Sequence, residues 1–161
     1  MGATAERDDC GEARALVERR CGAFLARYGF AFAGCASFGS GQNLSWQAIY
    51  ASGRCQALFE FEDGAYGCAL GAPGTPPPRV DIMRERDGRD GWYDVTELVR
   101  FATGRRVLSR RVLRRLLDGK LDQLTWLGGV LEQHAGVLLG LFAPAQPAWH
   151  ERFMHHRTRR R

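Results

Sequence analysis

Lysine is nearly missing from this chain: Lys120 stands alone among 23 basic residues, and every other one is arginine. Such a skew fits arginine-biased coding, which lowers the information carried by any single arginine cluster. No C-x-x-C pair occurs, which removes the common structural zinc frameworks. The sequence contains neither G-x-x-x-x-G-K-[ST] nor G-x-G-x-x-G, so the phosphate-cradling loops of nucleotide enzymes have no counterpart here. The longest apolar-rich stretch, 135–145, is too short to cross a bilayer core, and Met1 to Asp9 lacks the apolar region of a signal peptide. A protein without a membrane span is expected.

What is present is ordinary for one globular domain. The chain has 161 residues, 45% apolar and 25% charged. At that size a single core buries roughly 70% of the unfolded chain's surface, enough to fold without a metal or disulfide. One domain over 1–161 is expected, with 1–9 and 158–161 as disordered tails. The net charge of +5 is unevenly placed. Residues 1–151 hold 18 basic and 18 acidic side chains, so the excess is Arg152, Arg157, Arg159, Arg160 and Arg161. Within the neutral body, 100–120 carries eight basic groups against Asp118 alone.

The five cysteines, Cys10, Cys21, Cys35, Cys55 and Cys68, are odd in number and widely spaced, and four fall at apolar-pattern positions. A secreted disulfide framework usually shows an even count. The expectation is that the cysteines are structural, the four at apolar positions packing as small hydrophobes, in a reducing, cytoplasmic compartment.

Periodicity organises the rest. Asp9 and Glu12 form a capping-box pattern before Ala13, Leu16, Val17, Cys21, Phe24 and Leu25, which share one helical stripe. Tyr28-Gly29-Phe30 supplies a helix exit. Strand-like segments follow: a poorly alternating Phe30–Phe38, then Leu44 to Tyr50, Cys55 to Phe61, and Tyr66 to Leu70. Asp63-Gly64 reads as a type I′ hairpin turn, and Ser52-Gly53 as a second turn. The meander is expected to face solvent on one side. Gly71 to Arg79, with four prolines, is a loop; Val80 to Met83 reads as a short edge strand and Arg84 to Gly91 as an exposed excursion. Asp94 with Glu97 opens a helix ending near Gly104, and Ser109 caps the next. From Val112 to Phe142 helical spacing continues, and Gly119 or Gly128-Gly129 divides it into two helices rather than one. A last helix spans Ala148 to about Arg157. The fold class is α+β: a mostly antiparallel meander of four or five strands, helices packed on one face, one helix first and others at the C-terminus.

Chemistry is scarce. His150-Glu151 precedes His155 and His156, at gaps of five and six, whereas a zinc-protease pair needs a gap of four. His134 has no partner of motif type. Glu60 and Glu62 share a strand face and read as a solvated edge. No catalytic, cofactor-binding or metal-ligating residue is assigned, and no cofactor is expected. One feature has content: Arg110, Arg111, Arg114 and Arg115 cover an arc of about 140° on a helix whose opposite side is Val112, Leu113, Leu116 and Leu117. With Arg157, Arg159 and Arg160 of the tail, this is the candidate interaction face.

The order of elements resembles small bacterial α+β proteins, some of them immunity proteins of polymorphic toxin systems. The residues behind the resemblance are Tyr28-Gly29-Phe30, Trp46 with Tyr50, Phe59-Glu60-Phe61 and Leu139-Gly140-Leu141-Phe142, spanning about 12–142. It implies a non-enzymatic binding module and transfers no site residue. The functional expectation is therefore a cytoplasmic protein-interaction module, immunity-like, with an acidic protein partner. The alternatives are weak binding of a nucleic-acid phosphate backbone and an enzyme of unrecognised class.

Overall fold

The structure, a computed structural model, describes residues 9–79, 86–143 and 149–159. Helix α1 (Asp9–Arg27) forms because Ala13, Val17, Cys21, Phe24 and Leu25 recur on one stripe, and all five are buried. It ends as its sequence predicts. Gly29 takes φ +71°, Phe30 N–H reaches back to Leu25 O at 2.9 Å, and the Phe30 ring stacks on Phe24 at 5.3 Å. The cap expected of Asp9 lies outside the described side chains.

Five antiparallel strands follow in the order β1-β2-β3-β4-β5: β1 (Ala31–Phe38), β2 (Ser45–Ala51), β3 (Gln56–Glu62), β4 (Ala65–Gly71) and β5 (Trp92–Asp94). The hairpin between β3 and β4 turns at Asp63 (φ +48°) and Gly64 (φ +77°), the two positive angles a type I′ turn requires. The poor alternation of β1 has a physical cause. Its register with β2 slips between Phe32 and Gly34, leaving Ala33 as the extra residue of a bulge.

Helices α2 (Val95–Thr103), α4 (Gln123–Leu141) and α5 (Trp149–Thr158) join α1 on one side of the sheet. The cross-strand triplets Ala48–Phe59–Cys68 and Tyr50–Ala57–Leu70 face them. Asp94 caps α2 by accepting from Glu97 N–H at 3.1 Å, and Gly104 (φ +71°) closes it. The long apolar run does divide in two, and the break is at Gly119 (φ +67°), between α3 (Arg110–Leu117) and α4. Gly128-Gly129 instead stays helical. A Cβ on Gly128 would lie 2.9 Å from Arg20 O and 3.2 Å from Cys21 Sγ, so this glycine is what lets α4 approach α1.

Four expectations need correction. The far side of the sheet is not solvated throughout: Ile49, Leu58 and Ala69 are buried there under Trp92, whose indole N–H donates to Pro76 O at 2.8 Å, while β1 stays largely exposed. The loop 71–79 thus turns back over the sheet instead of leaving it. The supposed exposed excursion contains Arg86, only 7% exposed, because Glu60 and Asp90 neutralise it. Thr158, placed in a disordered tail, is the last residue of α5 and donates to Met154 O. Finally, Cys10 and Cys35 are joined by a disulfide, with Cα atoms 5.8 Å apart, fastening the start of α1 to β1. The expected edge strand at Val80 to Met83 lies outside the described residues, as do most of the N-terminal tail and Arg160 and Arg161.

Candidate functional site

Helix α3 carries four of the seven candidate arginines. Ser109 Oγ accepts from Val112 N–H at 3.2 Å and starts the helix. At the far end Lys120 N–H bonds to Arg115 O at 2.9 Å around Gly119. Arg110, Arg111, Arg114 and Arg115 are all exposed, and among the described residues none of them forms an ion pair.

The apolar side of α3 is the unexpected part. Val112 and Leu116 are half-buried, but Leu113 is 43% exposed and Leu117 78%, with Leu108 just upstream at 42%. The helix buries no residue fully. At about 100° per residue, Leu113 and Leu117 sit next to Arg110 and Arg114 on the cylinder. The surface offered to solvent is therefore one continuous face, leucine along one border and guanidinium along the other. Arg105 and Arg106 precede it, both exposed.

The remaining candidates sit on another element. Arg157 is half-buried and Arg159 exposed at the end of α5, whose Trp149 and Phe153 dock on Phe101 of α2 and Tyr93 of β5. Arg160 lies outside the described residues. Helix α5 packs on α2, and α3 is not among the elements that pack substantially on either. Arg157, on α5, and Arg159, just after it, thus sit on different elements from the α3 arginines.

The histidines and carboxylates have local roles. His150 Nδ1 is hydrogen-bonded to the Tyr93 hydroxyl, and His156 stands edge-on to Phe101 at 5.7 Å. His134 is half-buried on α4. No group of three or more His, Cys, Asp or Glu side chains suited to a metal occurs among the described residues. Glu60, read as a solvated edge, is instead clasped by Arg86: Nε donates to Oε2 at 2.9 Å, Nη2 to Oε1, while Nη1 reaches Asp90 at 2.9 Å. Gln47, 4% exposed, donates to the same carboxylate at 3.1 Å. This network ties the start of 86–94 to the far face of the sheet. Sequence spacing misses it because 26 residues separate Glu60 from Arg86.

The three unpaired cysteines are buried and chemically quiet. Desolvation pushes the Cys21 thiol up to about 12 and Cys55 to about 11, and raises Cys68 as well. A nucleophilic cysteine needs the opposite shift. The Cys10–Cys35 bond, in turn, removes the ground on which a reducing compartment was expected.

No helix among the described residues is long and apolar enough to cross a membrane. Set against family models, curated proteins and solved structures, the chain matches none of them.

Proposed function

We propose that this protein is a non-enzymatic interaction module that docks an acidic protein partner through α3. One observation carries this: a capped amphipathic helix whose leucine border, Leu113 and Leu117, is left in water beside four arginines with no ion-pair partner among the described residues. Exposing large aliphatic side chains costs free energy unless a partner covers them. The charge border selects the partner's chemistry. A groove lined with apolar side chains and rimmed by carboxylates satisfies both borders of the helix. A phosphate backbone satisfies the arginines and leaves the leucines wet. The resemblance to immunity proteins, which act by binding a protein, leans the same way.

The test is a photo-crosslinking residue placed at Leu117, with Phe38 at the sheet margin, 55% exposed, as control. In its host cells the Leu117 probe is expected to give one discrete protein adduct, through an acidic segment, that disappears in Arg111→Glu/Arg114→Glu. The Phe38 probe should not give it. No protein adduct, the same adduct from Phe38, or a basic contacting segment would sink the proposal. Labelled RNA and DNA are titrated alongside at two salt concentrations. Tight binding that falls steeply with salt, requires the α3 arginines and ignores Leu117→Ser would replace the protein partner with a nucleic acid.

A further inference from the structure

Between α2 and α5 lies an open cleft of about 690 Å³, lined by Phe101, Arg152, His155, His156 and Arg159. Its size falls within the range of small-ligand sites, roughly 300–1,000 Å³. Arg152, His155 and His156 of α5 and Arg159 just after it follow the spacing i, i+3, i+4, i+7, so they continue one stripe beside that of Trp149 and Phe153, which anchors the helix. The floor is Phe101, held edge-on by Phe153 at 5.5 Å and by His156 at 5.7 Å. Arg152, His155 and Arg159 are exposed, and neither arginine has an ion-pair partner among the described residues.

Two guanidinium and two imidazole groups lie on one stripe, and among the described residues that line the cleft there is no carboxylate to offset them. Basic groups near the C-terminus of a helix have an ordinary explanation, since they complement the negative end of the macrodipole. That explanation serves His155, His156 and Arg159. It does not extend to Arg152, six residues before the end of α5, because the effect falls off within the last turn.

We infer that this cleft binds a small phosphate-bearing molecule, its phosphate groups held by Arg152 and Arg159 and its apolar or planar remainder against Phe101. Planar guanidinium forks match phosphate oxygens two at a time, and the histidines add donors on the same side. The exposed side of the cleft is basic but its floor is the Phe101 ring, which is why the ligand is taken to carry a further, apolar or planar group. This site is separate from α3 and does not depend on the docking role proposed for that helix.

The probe is adenosine diphosphate, titrated into the full chain at low salt by calorimetry, with adenosine and a ten-nucleotide single-stranded RNA in parallel. The diphosphate is expected to bind and adenosine not to. Arg152→Ala and Arg159→Ala, at exposed positions that leave the core intact, should each weaken binding by about tenfold or more. Arg111→Ala/Arg114→Ala on α3 should leave it unchanged. The inference is overturned by any of four results: no binding of the diphosphate, equal binding of adenosine, equal loss in the α3 variant, or RNA that binds more tightly than the diphosphate through the α3 arginines. None of these bears on the crosslink at Leu117, so the two proposals fail separately.

Discussion

Helices α3 and α4 come from one continuous stretch of helical periodicity, yet the molecule treats them in opposite ways. In α4, Leu124, Leu127, Leu131, Ala135 and Leu138 are all at most 3% exposed, wedged between α1, α2 and β4. In α3, the equivalent stripe leaves Leu113 and Leu117 at 43% and 78% exposure. Both helices begin with a side-chain cap, Ser109 and Asp122, and both carry apolar residues at helical spacing. Periodicity says which side of a helix is apolar; whether anything stands opposite is a property of the rest of the chain. The uncovered apolar stripe is therefore where a partner is expected.

The sharpest way to break the comparison is to truncate matching leucines. Leu131→Ala should cost about 2–5 kcal/mol of unfolding free energy, and Leu117→Ala no more than about 0.5 kcal/mol. Denaturant melts check both; a similar loss at Leu117 would mean that α3 is part of the core. Reduction comes next. The Cys10–Cys35 bond closes a loop of 25 residues, so its loss should cost roughly 3 kcal/mol, and α4 amides, sharing α1's packing, should exchange faster while α3 amides hardly change. Thiol titration reads the same feature directly. Without reductant the unfolded chain should show three thiols and the folded chain almost none, because Cys21, Cys55 and Cys68 are buried with raised pKa values.

The smallest effects are at the caps. Asp122→Ala should cost about 1 kcal/mol globally, whereas Ser109→Ala should speed local exchange in α3 and leave the global transition almost where it was. The Asp122 carboxyl is held below its usual range, chiefly by hydrogen bonding from Thr125 and then by Arg20 and Arg19. A lowered folded-state pKa means the stabilisation is complete above the ordinary carboxylate value and fades as pH falls through the lowered one. Asp122→Asn keeps the cap but should flatten this part of the acid limb in a pH series of melts. If the acid limbs of the two proteins coincide, the carboxylate is not what starts α4.

Much of the fold was legible because it rests on short-range rules. Gly29 and Phe30 at the exit of α1, Asp63-Gly64 between β3 and β4, and Asp94 ahead of α2 each act within a few residues, where spacing and φ preference suffice. Of the candidate arginines, the four of α3 share one helix as their spacing requires, while Arg157 and Arg159 belong to α5 and its end. The i, i+3, i+4, i+7 pattern of Arg152, His155, His156 and Arg159 is present in the sequence, but spacing alone does not say that Phe101, about fifty residues away, stands against it.

The sequence by itself determined the α+β class, the meander, most turns and caps, and the two-helix division of the last apolar run, because local backbone preferences and apolar periodicity set these. Only the tertiary structure decided that Cys10 meets Cys35, that Arg86 folds back onto Glu60, that Trp92 covers the sheet's far face, and that α3 keeps its leucines in water. Each depends on which distant segments meet, and neither spacing nor composition records that.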